Sequence, residues 1–106
     1  MAWVGNIESI TKKNKQFRKI VHTIPKFQLV VMTLEPKEDI GMEAHHGAVQ
    51  FVRVEEGTGK AIVGGVTHRI KAGSALIIPP DTQHNIINTS RTKKMQIYVI
   101  YTPPQH

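Results

Sequence analysis

The stretch GMEAHHGAVQF, residues 41–51, concentrates polar side chains at the point where the chain enters an apolar run. Glu43 and His45 are two positions apart, and residues two apart on an extended strand project to the same side. Gln50 shares a side with Val52 on the following run, and that apolar side is predicted to face a core. A carboxylate, an imidazole and an amide are therefore predicted to meet at the mouth of one core.

A second apolar run, HNIIN at residues 84–88, begins with a histidine. His84, Ile86 and Asn88 fall on one side of a strand by the same alternation. The preceding PPDTQ contains two prolines, which cannot donate to a strand ladder and so predict a turn just before His84. We expect His84 to join the polar group of residues 41–51 from a neighbouring strand.

Short strands with regular turns predict an all-β domain. Glycine or proline recurs about every ten residues, and the runs between them are rich in β-branched side chains, a pattern typical of a sandwich or barrel. The runs are 27–34, 50–56, 60–63, 67–70, 75–79, 84–88 and 95–101. Gly64 and Gly65 predict a tight hairpin turn, and one short helical turn is predicted within residues 6–16.

Composition limits the fold and the chemistry. A chain of 106 residues has the size of one domain, and 40% hydrophobic with 21% charged residues predicts a folded protein. The sequence has no cysteine, so any metal ligand must be an imidazole, a carboxylate or an amide oxygen. Neither a secretory signal nor an apolar run of about 20 residues is present, which predicts a soluble cytoplasmic protein without a membrane partner.

Two segments, residues 41–57 and 73–88, resemble the two sequence motifs of the cupin family. The motif positions are occupied by Gly41, Glu43, His45, Gln50 and Gly57 in the first, and by Gly73, Pro79, His84 and Asn88 in the second. The chain as a whole resembles the small cupins described as mannose-6-phosphate isomerase-like. This resemblance implies one double-stranded β-helix (jelly-roll) barrel over residues 1–106, with an N-terminal arm and first strands in 1–26 and the barrel core in 27–102.

The same resemblance implies a divalent metal ion, one of Fe, Mn, Zn, Ni or Co, held by Glu43, His45, Gln50 and His84. The commoner cupin set is three histidines and a glutamate, so Glu43 stands in place of a histidine and Gln50 in place of the glutamate. The Gln50 carbonyl oxygen can ligate a metal, although more weakly than a carboxylate does. His46 is an alternative to His45, but strand alternation favours His45 because it shares a side with Glu43.

Two functions remain open at this level. A metal-dependent enzyme, isomerase-like or oxygenase-like, would act on a small sugar-like or keto-acid substrate, but isomerisation needs a positioned base and the sequence identifies none. A binding or sensing module would hold a small molecule without turnover. The resemblance also implies a homodimer.

The formal charge of +6 comes largely from residues 12–19 and 91–94. Neither segment carries the aromatic or helix-turn-helix pattern of nucleic-acid binding, so we interpret them as solvated turns and edges.

The remaining candidates are interpreted as structural. We expect Met32, Met42 and Met95 in the core, and His22, His68 and His106 on the surface or satisfied within strands. Trp3 is expected to pack against the barrel or a partner subunit. Tyr98 and Tyr101 must face opposite sides of one strand, so at most one of them can line the pocket, where it could donate a proton.

Overall fold

The computed structural model describes residues 2–105, which form one helix and eight strands. The elements are α1 (Ile7–Lys13), β1 (Lys19–Ile24), β2 (Phe27–Leu34), β3 (Val49–Glu56), β4 (Thr58–Val63), β5 (Val66–Lys71), β6 (Ala75–Ile78), β7 (His84–Asn88) and β8 (Met95–Thr102). No helix within these residues is long and apolar enough to span a bilayer. The expectation for His106 lies outside the described residues.

The strands form two antiparallel sheets that face each other as a jelly-roll barrel. The larger sheet has the order β1-β2-β8-β3-β6 and the smaller one β5-β4-β7. Residues 39–43 run antiparallel beside β7, with bridges from Asp39 to Ile87 and from Glu43 to His84. Through these isolated bridges the segment lies along the β7 edge of the smaller sheet and brings the first polar stretch next to the second.

The core lies between the two sheets because alternate residues of each strand point inward. Burial along β3 alternates as predicted, with Gln50, Val52 and Val54 all buried. The buried apolar cluster contains Val30, Met32, Leu34, Val52, Val54, Ala61, Ile70, Ile78, Ile86, Met95, Ile97, Val99 and Tyr101. Full burial of each aliphatic side chain contributes about 1.5–3 kcal/mol, so this cluster supplies most of the driving force for folding.

Helix α1 covers part of the outer face of the larger sheet. Asn6 caps the helix, since its side-chain oxygen accepts from the Ser9 amide at 3.0 Å. Beyond the helix, Asn14 and Thr33 bond to each other, and the Gln96 amide donates to the Lys12 and Asn14 carbonyls at 2.9 and 3.0 Å. These bonds explain why polar residues on the outward side of β2 and β8 are buried.

Most sequence expectations for individual residues are confirmed. Gly64 and Gly65 form the β4–β5 turn with φ angles of 54° and 82°. Met32 and Met95 lie in the core. The prediction for Met42 is wrong, because its side chain is 53% exposed. Its neighbour Glu43 takes the inward direction, and alternation therefore turns Met42 outward.

Residues 2–26 supply one strand and one expected contact. Strand β1 lies within the region where the resemblance implied first strands, but outside the runs predicted from the sequence pattern, and it is largely exposed at the edge of the larger sheet. Trp3 packs against β1, with its ring stacked on His22 at 6.1 Å between centroids.

The conformation of Gly57, between β3 and β4, yields a stability prediction. Its φ is +95°, and an added Cβ would lie 2.8 Å from the Lys94 carbonyl oxygen and 2.9 Å from Met95 Cα. Gly57→Ala should therefore lower the free energy of unfolding by about 2 kcal/mol or more, through left-handed strain plus the backbone clash. The measurement is denaturant unfolding monitored by circular dichroism.

Gly65→Ala is the matched control, because Gly65 has a φ of +82° and nothing within 4 Å of an added Cβ. It should cost about 1 kcal/mol, from the backbone conformation alone. Equal losses in the two variants would show that the packing around Gly57 contributes nothing.

Candidate metal centre

The site is built on one pair of facing residues. The Glu43 amide donates to the His84 carbonyl at 2.9 Å, and the His84 amide donates to the Glu43 carbonyl at 2.8 Å. Because residues that exchange both backbone bonds lie directly opposite each other, their side chains leave the sheet on the same face. The Glu43 carboxylate and the His84 imidazole thus enter the same end of the barrel.

A turn places His45 beside this pair. The His45 carbonyl accepts from the Asp81 amide at 3.0 Å, which ties residues 44–48 to the turn that precedes β7. His46 points the other way, with its side chain 99% exposed and its Nδ1 2.9 Å from the Asp81 carboxylate. The structure therefore brings His45, rather than the alternative His46, to Glu43 and His84.

Three side chains converge closely enough to hold a metal ion. Glu43 Oε1 lies 3.1 Å from His45 Nε2 and 3.9 Å from His84 Nε2. The candidate ligand atoms of all three residues lie within 4.8 Å of one another. Burial is graded across the cluster, since the His84 side chain is fully buried, that of His45 is 16% exposed and that of Glu43 is 40% exposed. The cluster is thus open to solvent on the Glu43 side.

The backbone determines which nitrogen of His84 can bind a metal. His84 Nδ1 lies 2.9 Å from the Thr82 carbonyl oxygen, and a carbonyl can only accept, so Nδ1 carries the proton. In the neutral ring Nε2 then presents a lone pair. That atom is buried and has no hydrogen-bond partner within residues 2–105. A carbonyl that fixes the tautomer and orientation of the ring is the usual support of a metal-binding histidine.

Gln50 places a second unsatisfied acceptor at the same end of the barrel. It is 1% exposed on the inner face of β3, directly opposite Tyr101 of β8. Tyr101 in turn contacts His45 edge to face, with 4.9 Å between ring centroids. Among the described residues, Gln50 Oε1 finds no donor. A buried amide oxygen without a donor costs about 1–3 kcal/mol, which a cation could offset.

The two tyrosines face opposite sides of β8, as alternation predicted. Tyr98 packs against Phe51 on the outer face, whereas Tyr101 lines the site. Burial of the Tyr101 side chain, and next the charge of Glu43, raise the pKa of its hydroxyl above the ordinary value; the charge and hydrogen bonding of Arg18 act in the opposite direction. The hydroxyl is therefore protonated at neutral pH and can donate a hydrogen bond into the site.

Arg18 is the residue that the sequence interpretation missed. We assigned it to the solvated basic segment 12–19, and the lysines of that segment are indeed exposed. Arg18 is only partly exposed and reaches the Tyr101 end of the barrel, where its Nη2 donates to the Gln105 carbonyl at 3.4 Å. The sequence offers one weak signal of this role, because Arg18 is the single arginine beside four lysines in that segment.

Asn88 of the second motif has a structural role at the opposite end of the barrel. Its side-chain amide donates to the carbonyls of Leu34, Glu35 and Lys93 at 3.1, 3.1 and 2.9 Å, and its oxygen accepts from the Ser90 amide. Strand β7 therefore carries a candidate ligand at its start, an apolar core residue at its middle and a loop-anchoring amide at its end.

The jelly-roll barrel and the histidine–carboxylate cluster at its open end together define a cupin, and comparison with known families agrees. Residues 30–101 match the family described as "Cupin domain", so the chain belongs to the cupin family.

Individual relatives extend this likeness over almost the whole chain. Protein L612 of Acanthamoeba polyphaga mimivirus is 40% identical over 107 residues, covering 98% of this chain and 67% of that protein. YrkC of Bacillus subtilis is 38% identical over 110 residues, covering 98% of this chain and 59% of its own length. The crystal structure of BH2720 from Bacillus halodurans is 38% identical and has a TM-score of 0.96, covering 100% of this chain and 84% of that one. The jelly-roll fold predicted from the sequence is confirmed.

The raised pKa of Tyr101 gives a prediction for alkaline solution. A tyrosine whose folded-state pKa exceeds its unfolded value of about 10 stabilises the protein below that pH, and this contribution is lost as pH rises through the folded value. Phenolate absorbance of the native protein should therefore show a component above the ordinary tyrosine range, and Tyr101→Phe should remove it. Persistence of that component in the variant would assign it to Tyr98 and contradict the prediction.

Proposed function

We propose that this cupin binds a divalent metal ion through Glu43, His45, Gln50 and His84 and acts as a metal-dependent enzyme on a small polar substrate. The observation that carries the proposal is His84 Nε2, a buried lone pair without a partner in residues 2–105 that faces a carboxylate oxygen at 3.9 Å. A protein interior seldom leaves such an acceptor unsatisfied. A metal ion would satisfy His84 and compensate the Glu43 charge together.

The donor set is compatible with several metal ions. Two imidazoles, one carboxylate and one amide oxygen form a mixed nitrogen and oxygen set, which suits Fe(II), Mn(II), Co(II), Ni(II) or Zn(II). Four protein ligands would leave positions open for substrate on an octahedral ion, and the partly exposed side of Glu43 gives access to solvent. When bound, such an ion would supply Lewis-acid chemistry or, as Fe(II), oxygen chemistry.

The surrounding residues of the chain contribute orientation and a proton. The Thr82 carbonyl holds the His84 ring in one tautomer, so Nε2 is available as a ligand without rearrangement. The Tyr101 hydroxyl, protonated at neutral pH, can donate to an oxygen atom of a bound substrate. These features support an isomerase-like or oxygenase-like reaction on a sugar-like or keto-acid substrate, in line with the resemblance to mannose-6-phosphate isomerase-like cupins.

A non-catalytic binding or sensing module is the second candidate. It is favoured by the role assigned to Glu43, because a carboxylate that ligates the metal ion is not free to act as a general base. Turnover of a sugar or keto acid that stops on addition of chelator would support the enzyme. Saturable binding of the same compound without turnover would support the module.

Replacement of His84 tests the metal centre directly. His84→Ala and His84→Gln should reduce bound metal from about one ion per chain to a trace, measured by elemental analysis after reconstitution and desalting. His68→Ala is the matched control, because His68 is an exposed strand histidine outside the cluster. Retention of metal by both His84 variants would contradict the assignment.

Metal binding should also stabilise the native protein. At a free metal concentration about a hundred times Kd, the stabilisation is about 2.7 kcal/mol, or roughly 10–20 °C in Tm for a domain of this size. Differential scanning calorimetry of the metal-free and reconstituted protein measures this shift. The His68→Ala control should keep it, and an absence of any shift in the native sequence would count against a resident metal.

Replacement of Gln50 distinguishes a role as a metal ligand from a role in packing alone. Gln50→Glu should tighten metal binding about tenfold or more, because a charged oxygen ligates more strongly, and should destabilise the metal-free protein, because an unpaired buried charge is costly. Gln50→Leu should weaken binding and leave the metal-free protein stable. The measurement is metal affinity from chelator competition. Identical affinities in the native protein and in both Gln50 variants would remove Gln50 from the ligand set.

A further inference from the structure

A chain of hydrogen bonds links Arg18 to the inner face of the barrel at its open end. Its Nη2 donates to the backbone carbonyl of Gln105, and the backbone amide of Gln105 donates to Gln28 Oε1 at 3.1 Å. Gln28 is buried on the inner face of β2 and is the direct strand neighbour of Tyr101. The guanidinium therefore belongs to the same end of the barrel as Gln50, Tyr101 and the histidine cluster.

The charges around the Tyr101 hydroxyl agree with this placement. The Glu43 carboxylate raises the pKa of that hydroxyl, and the Arg18 guanidinium lowers it. The Arg18 guanidinium and the Glu43 carboxylate are thus both close enough to Tyr101 to influence its hydroxyl. They do not neutralise each other directly, since among residues 2–105 no ion pair within 4.0 Å includes Arg18.

Arg18 also retains hydrogen-bonding capacity. A guanidinium has five N–H donors, and those of Arg18 interact with the Gln105 carbonyl at a long 3.4 Å and with the Tyr101 hydroxyl, which leaves donors free. A half-buried cation with free donors gains most from an anionic partner, because charge-assisted bonds are about twice as strong as neutral ones. The planar donor fork matches a carboxylate, which it can bind through two parallel hydrogen bonds.

We propose that the substrate or ligand of this cupin is a small organic acid whose carboxylate binds Arg18 while a second oxygen atom reaches the metal ion beside Glu43, His45 and His84. This inference rests on the proposed function, because it requires the metal. A single guanidinium balances a single carboxylate, and the fixed negative charge of Glu43 nearby disfavours a doubly charged phosphate. Of the sugar-like and keto-acid substrates considered above, it selects the acids.

The test uses the full chain, reconstituted with Mn(II), and isothermal titration calorimetry at constant ionic strength. The probes are pyruvate and lactate as monocarboxylates, inorganic phosphate as another anion, and glycerol as a neutral polyol. The variants are Arg18→Ala and Arg18→Lys, with Arg69→Ala as the control, since Arg69 is an exposed arginine on the outside of the smaller sheet. Metal content and Tm are measured on every sample, so that a misfolded variant is recognised.

The expected result is binding of pyruvate or lactate that Arg18→Ala weakens about tenfold to a hundredfold, the loss typical of a charge-assisted hydrogen bond. Arg18→Lys should recover part of the affinity, because lysine keeps the charge and loses the fork. Arg69→Ala should bind like the native sequence.

Three results would overturn the inference with the metal centre intact: carboxylate affinity unchanged in Arg18→Ala, binding of glycerol as tight as that of the acids, or tighter, Arg18-dependent binding of phosphate. Failure of the native protein to retain Mn(II), or any other ion of the compatible set, would overturn the proposed function itself. Metal content therefore distinguishes the two failures.

Discussion

The pair of backbone hydrogen bonds between Glu43 and His84 is the constraint on which the site depends. It fixes the register between residues 39–43 and β7, and hence the direction in which both side chains leave the sheet. A slip of one residue in this register would turn the carboxylate to the opposite face, because side chains alternate with a period of two. The two bonds thus convert two separate sequence motifs into one cluster, although 41 positions separate these residues in the chain.

Strand β7 shows most clearly why the cluster points to a ligand. His84 and Asn88 lie on the same face, and both are fully buried. Every side-chain polar group of Asn88 bonds to backbone, and it closes the far end of the barrel. His84 bonds through Nδ1 and leaves Nε2 unsatisfied toward Glu43. His84 and Asn88 are equally buried and differ only in their hydrogen bonding. Exclusion of solvent alone therefore does not explain why His84 Nε2 is unsatisfied. The proposed cation at the open end would satisfy both His84 Nε2 and Gln50 Oε1.

The parts of this structure that were predictable from sequence depend on local alternation and turn chemistry. Inward burial along β3, the Gly64–Gly65 hairpin and the opposite directions of Tyr98 and Tyr101 all follow from a period of two or from positive φ angles. Strand alternation predicted that Glu43 and His45 lie together, and their side chains do so, although residues 44 and 45 belong to no strand and precede the turn at 46–47. The backbone hydrogen bond from the Asp81 amide to the His45 carbonyl, rather than strand alternation, holds His45 beside Glu43.

The parts that were not predictable depend on distant contacts. Nothing near Arg18 in the sequence indicates that it approaches Tyr101, which lies 83 positions later. The exposure of Met42 follows only once Glu43 is known to face inward, and the side chain of Glu55, although on the outer face of β3, is only 5% exposed beside Arg53. Such features arise from how elements pack together, which residue patterns within one element do not encode.

Anomalous diffraction from crystals of the metal-reconstituted protein, recorded at the absorption edge of the bound metal, tests the central claim most directly. A metal ion held as proposed should give one strong peak at about 2.0–2.2 Å from His45 Nε2, His84 Nε2 and a Glu43 carboxylate oxygen, with the Gln50 amide oxygen as the fourth ligand. A peak on the exposed His46–Asp81 pair, with none at His84, would contradict it.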